Sequence, residues 1–143
     1  VDIELSDFFV PSENVVSANP IGNYTRNKSA SKTVHFCLYG LGEAALEHVQ
    51  DREFEKAAMQ KLQVIQKRFV DSSDIDELDK LRVELFGLSQ QIITTAMTLK
   101  GGASVLADEP LQRLYRELIM FNANGLNPRL KELFKDKFVT LED

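Results

Sequence analysis

The chain has 143 residues, 43% apolar and 27% charged. That suffices for one compact domain burying roughly two thirds of its unfolded surface, and it excludes gross disorder or two full domains. The 17 basic and 22 acidic side chains are interleaved and leave a net charge of −5, so no basic patch marks a nucleic-acid partner. One cysteine, Cys37, and two histidines, His35 and His48, exclude a disulfide framework and a multi-cysteine or His-rich metal site. No run reaches the roughly 18–20 apolar residues of a membrane span, and no basic leader with a cleavage site opens the chain. A cytoplasmic location is the expectation. Patterned sequence begins at Val1 itself, as expected of a piece of a longer protein.

Val1, Ile3 and Leu5 alternate with Asp2, Glu4 and Ser6, the period of a half-buried strand. Pro11 interrupts it. Residues 11–31 are rich in Ser, Asn, Pro and Gly and read as a linker, with turn signals at Asn19-Pro20 and Gly22-Asn23. Residues 1–30 therefore form a strand-like lead-in and linker, and residues 31–143 a helical domain.

The first helix carries Val34, Leu38, Leu41, Ala45 and His48 or Val49 on one stripe. The second carries Phe54, Ala58, Leu62, Ile65 and Phe69, and Asp71-Ser72-Ser73-Asp74 breaks it and supplies caps. The third places Leu78, Leu81, Leu85, Leu88, Ile92, Thr95 or Ala96, and Leu99 at alternating spacings of three and four, the seam of a packed bundle. Acids crowd its start, which suits the helix dipole, and Gly101-Gly102 ends it. Asp108-Glu109-Pro110 starts a fourth helix with Leu111, Leu114, Leu118 and Phe121 on one stripe. Gly125 and Pro128 break it, and a last short helix follows from Arg129 to Phe138. The expectation is all-α: an up-down bundle of four helices of about 18–25 residues after a short strand and linker.

The segment GLGEAALEHVQDR at 40–52 resembles the G-x-A-x-x-A-L-x-x-A-x-x-R pattern of acyl-CoA dehydrogenases. Gln63, eleven residues after Arg52, sits in Leu62-Gln63-Val64-Ile65-Gln66, similar to the family's F-Q-x-I-Q. Lys100-Gly101-Gly102 and then Asp108-Glu109-Pro110-Leu111-Gln112-Arg113-Leu114-Tyr115-Arg116-Glu117 resemble its Q-x-x-G-G…E-x-P-x-x-R-x-Y-R-D block. Phe8 to Val16 resembles the last strand of the family's middle β-domain. The likeness spans nearly the whole chain, in order. It implies the C-terminal helical domain of a three-domain flavoprotein oxidoreductase. It also implies FAD at a domain and subunit interface, a homo-oligomer, and an acyl-CoA-type substrate for the longer protein.

The resemblance places Arg52 at the FAD diphosphate, a role that suits a fixed guanidinium with paired charged donors. Phe54 stands one residue from the family's flavin-side aromatic, Gln63 matches a glutamine beside the cofactor, and Gly101 and Gly102 match a glycine pair that admits the cofactor to the backbone. Each residue also has a plain structural reading: a solvated arginine or glutamine on a helix, a core aromatic, a helix stop. The chain departs from the pattern at Glu55-Lys56, where the family has F-G, at Thr98, where it has glutamine, and at Ser104-Val105, where it has G-Y. The position of the usual catalytic carboxylate is Asn124, and residues 26–34, where a minority of members carry it, contain no acid. Proton abstraction next to a thioester carbonyl needs such a carboxylate, so no catalytic residue is assigned. Two alternatives stay open. One is part of a flavin-dependent monooxygenase of the same fold, which needs no carboxylate there. The other is a non-catalytic bundle for oligomerisation or partner binding.

Overall fold

The computed structural model describes residues 6, 7, 9, 11–14, 30–124 and 126–138. Among them the chain is all-helical, with five α-helices: α1 (Ala30–Leu46), α2 (Arg52–Asp71), α3 (Ile75–Lys100), α4 (Pro110–Ala123) and α5 (Pro128–Phe138). Short 3-10 turns occupy Ser12–Asn14 and Gly102–Val105. The expected strand falls largely on residues outside the described ones. Of its neighbours, Ser6 and Asp7 form an exposed bend.

Local chemistry sets the helix boundaries. The Asp51 carboxylate accepts hydrogen bonds from the Glu53 and Phe54 amides, both at 3.0 Å, and so caps α2. Asp74 accepts from the Asp76 amide and opens α3. Pro110 takes the first position of α4, where a missing N–H costs nothing. The Asn127 side chain accepts from the Leu130 amide at 2.8 Å at the start of α5. Helix lengths depart from the expectation at α1 and α4, with 17 and 14 residues. A turn at Glu47–His48 cuts α1 short. α4 starts at Pro110 as expected and stops at Ala123, with Asn124 as its C-cap.

α3 is the central element. It packs against α1, α2, α4 and α5, while α2 and α4 each lie against both α1 and α3. The α1–α3 contact is the most extensive of these. A side chain at Gly42 would meet the Ser89 hydroxyl at 2.7 Å and Leu62 at 3.3 Å. The Ser89 hydroxyl donates to the Leu38 carbonyl at 3.0 Å, across the same seam. Leu38, Ala45, Leu62, Leu81, Leu85, Ile93, Leu111 and Leu118 form the buried centre of one hydrophobic core. Phe86 of α3 meets Phe134 and Phe138 of α5 edge-on, and Leu130 is buried. Cys37, expected as a small buried residue, is half-buried.

Two sets of contacts define the two ends of the assembly. At one, His35 near the start of α1 stacks on Phe69 near the end of α2. There, too, Arg68 late in α2 pairs with Glu77 and Glu84 early in α3, and Arg82 of α3 reaches the end of α4. At the other, Phe54 early in α2 shares a groove with Ile92 and Thr95 late in α3, and Lys100 at the end of α3 pairs with Glu109 at the start of α4.

The closeness of the α1–α3 seam leaves no room at position 42. Gly42→Val is expected to lower the unfolding free energy by about 1–3 kcal/mol through overpacking, read as a shifted urea midpoint with an unchanged slope. A neutral substitution would show that the two helices lie farther apart.

Candidate functional site

Arg52 is the first residue of α2. Its side chain is 91% exposed and reaches only the Glu55 carboxylate, at 4.0 Å. A surface pair of this kind contributes little to stability, so the guanidinium is free for another anion, with Glu55 as its competitor. Phe54 is half-buried and packs against the core, lining a groove of about 230 Å³ with Ala57, Leu88, Ile92 and Thr95. Gly101 ends α3 with φ 81° and ψ −163°, a region that only glycine enters without strain. Its amide bonds back to the Met97 and Thr98 carbonyls. A side chain at Gly101 or Gly102 would meet open space.

Four of the five expected residues thus stand at one end, where α2 starts and α3 stops. Gln63 does not join them: it is exposed on α2, roughly 16 Å along the helix from Arg52 at 1.5 Å per residue. Room at the glycine pair and a free guanidinium fit the diphosphate of a dinucleotide. Phe54, turned to the core, does not fit a flavin-stacking role. Asn124 follows α4 as its C-cap, and its backbone carbonyl accepts from Arg82 at 3.2 Å.

The opposite end holds a polar constellation that the apolar stripes did not reveal. Arg82, on α3, is fully buried. Its Nη2 donates to the carbonyls of Asn122 and Asn124 at 3.3 and 3.2 Å. Those carbonyls belong to the last turn of α4, whose orphan acceptors and negative dipole end favour a cation. Arg82 therefore caps α4 from a neighbouring helix. One turn earlier, Asp79 is also buried, and burial pushes its carboxyl up against the opposing pull of Arg129 and Arg82. Arg129, at the start of α5, pairs with both Asp76 and Asp79.

His35 completes the group. It is fully buried, lying flat on the Phe69 ring with centroids 3.4 Å apart and planes 6° apart. Neither ring nitrogen has a hydrogen-bond partner. Burial holds its imidazole well below the ordinary 6.5, at about 4; Gln66, near but outside hydrogen-bond geometry, opposes the shift, and the Arg82 charge adds to it. Among the described residues no cluster of three His, Cys, Asp or Glu would hold a metal.

No family model matches the chain, and no curated protein or solved structure matches it. The two ends therefore have to be read from their own chemistry. The motif-bearing end offers exposed charge and open backbone. The polar end is sealed, and its work is structural and electrostatic.

The sealed end makes stability depend on pH. Between pH 6.5 and about 4 the unfolded chain binds a proton at His35 that the folded chain refuses, so stability falls with falling pH, by up to about 3 kcal/mol. Asp79 acts in the opposite sense: its raised carboxyl costs stability as pH rises just above the ordinary carboxylate range. Comparing the chain with His35→Phe, which keeps Asp79, isolates the histidine. The urea midpoint of the variant should fall less between neutral pH and about pH 4. Parallel pH profiles would contradict the assignment.

Proposed function

We propose that this chain is the C-terminal helical domain of an FAD-dependent oxidoreductase resembling acyl-CoA dehydrogenases, with α1–α4 arranged as an up-down bundle. The contacts at the two ends support that arrangement, since each sets the earlier part of one helix beside the end of a helix that adjoins it in the chain, or the reverse. The observation that carries the reading is where the motifs fall. Arg52 starts α2, Gly101-Gly102 ends α3 and Glu109-Pro110 starts α4, so three of the segments that carry the resemblance meet at one end of the domain, while residues 62–66 lie along α2.

In this reading Arg52 holds the FAD diphosphate and the open backbone at Gly101-Gly102 admits it. Gln63 and Phe54 are contacts of lower rank, the first for its distance from Arg52 and the second for its orientation. When bound, FAD supplies a two-electron acceptor. No carboxylate stands at the family's positions for the base, so upstream domains would bring any acid–base group for an acyl-CoA-type substrate. A flavin monooxygenase of the same fold accommodates Asn124 without such a group. Exposed apolar side chains at Leu99, Val105 and Leu106, and at Ile119 and Met120 on α4, support a homo-oligomer.

The second reading is a non-catalytic bundle kept for oligomerisation or partner binding. The Glu55 carboxylate facing Arg52 favours it, because an acid beside a diphosphate site is repulsive.

Purification of the native protein that contains this chain separates the two. The flavoprotein reading expects flavin absorbance in the native protein. It also expects Arg52→Ala to weaken FAD binding roughly 10–100-fold, the loss of one charged hydrogen-bonding group. Unchanged affinity would remove Arg52 from the site, and a flavin-free native protein would favour the second reading.

A further inference from the structure

Six buried polar atoms without partners gather where α1 starts and α4 ends: His35 Nδ1 and Nε2, Gln66 Oε1, Arg82 Nε and Nη1, and Asn122 Oδ1. They belong to one neighbourhood. His35 feels both Gln66 and Arg82, and the Arg82 guanidinium lies 3.3 Å from the Asn122 carbonyl oxygen. Buried polar groups of native proteins are almost always paired, with protein or with ordered water. Leaving one without a partner is costly, and more so where the group is charged. Six together in one core would be a large penalty for a domain of this size.

The identity of the missing partner follows from the inventory of donors and acceptors. Arg82 offers three unused hydrogens, one on Nε and two on Nη1. A neutral His35 offers one donor and one acceptor, and Gln66 and Asn122 each offer a carbonyl oxygen. An anion would satisfy the guanidinium but would face the oxygens of Gln66 and Asn122. A cation would be repelled by Arg82. Water both donates and accepts, so it answers the whole set, and a buried water typically makes about three such bonds.

We propose that the end of the domain bounded by His35, Gln66, Arg82 and Asn122 encloses ordered water that bridges the guanidinium to the two amides and the imidazole. The water completes the cap that Arg82 places on α4. It spreads the guanidinium charge over polar groups from four helices and fixes the ring nitrogen of His35 that carries the proton. This inference rests on the polar end alone and is independent of whether the domain binds a flavin.

Oxygen-17 relaxation dispersion of water in solutions of the 143-residue chain counts waters held longer than the protein tumbles. The proposal expects at least one in the wild-type chain. It expects the count to fall in His35→Phe, which removes two partner atoms while keeping a flat ring against Phe69, and in Gln66→Leu. Gln66 is only half-buried, so Gln66→Leu remains a test if His35→Phe fails to fold. No long-lived water in the wild type, or a count unchanged by the substitutions, would overturn the proposal. So would a crystal structure in which a chloride, or direct side-chain pairing, satisfies Arg82.

Discussion

α1 and α3 meet where Gly42 carries no side chain and the Ser89 hydroxyl reaches the Leu38 carbonyl. This close approach decides the positions of the other helices. It leaves α2 and α4 to flank the pair from either side, each burying one stripe against both. It also turns α3 into a helix with neighbours nearly all round, with Asp79, Arg82, Val83, Phe86 and Ser89 buried beside its leucines. A bulkier residue at position 42 would separate the helices and open the core to which Leu38, Leu62 and Leu85 contribute.

The two ends of the assembly solve different electrostatic problems. At the polar end a buried arginine neutralises the last turn of α4, and a buried aspartate with Arg129 ties α5 to α3. Burying such charges is expensive, and it is tolerated only where partners surround them. At the other end the charges stay in water. Arg52 projects from the first turn of α2, and the chain turns sharply at Gly101 with φ 81°. Exposed charge and unencumbered backbone suit contact with a ligand or another domain. A sealed polar network suits holding helices in register. The proposed flavin role and the proposed internal water thus fall on opposite ends for one physical reason.

Much of the helical plan was legible in the sequence. The stripes of α2 and α4, the Asp74 cap, the proline start of α4 and the glycine stop of α3 all follow from local rules that need no tertiary context. The lengths of α1 and α4 were less legible, because the turn after Leu46 and the cap at Asn124 fixed them. The burial of Arg82, Asp79, Ser89 and His35 was not legible. A single apolar stripe describes a helix with one neighbour, and Asp79, Arg82 and Ser89 lie on faces of α3 that become interior only because α1, α4 and α5 cover them. Of the candidate site, Arg52 and Gly101 were placed by helix termini and were readable as such. The inward turn of Phe54 depends on which face of α2 packs on α3, whereas the separation of Gln63 from Arg52 follows from the rise of one continuous helix.

The central claim is that the α1–α3 pair organises the domain. Residue-resolved native-state hydrogen exchange tests it most directly, since protection reports the free energy of the opening that exposes each amide. The account predicts that the slowest amides lie together in the facing parts of α1 and α3, from Leu38 and Leu81 onward, and exchange only when the whole domain unfolds. α5 should open at lower cost. Central α3 amides that exchange faster than those of α2 or α4 would contradict it.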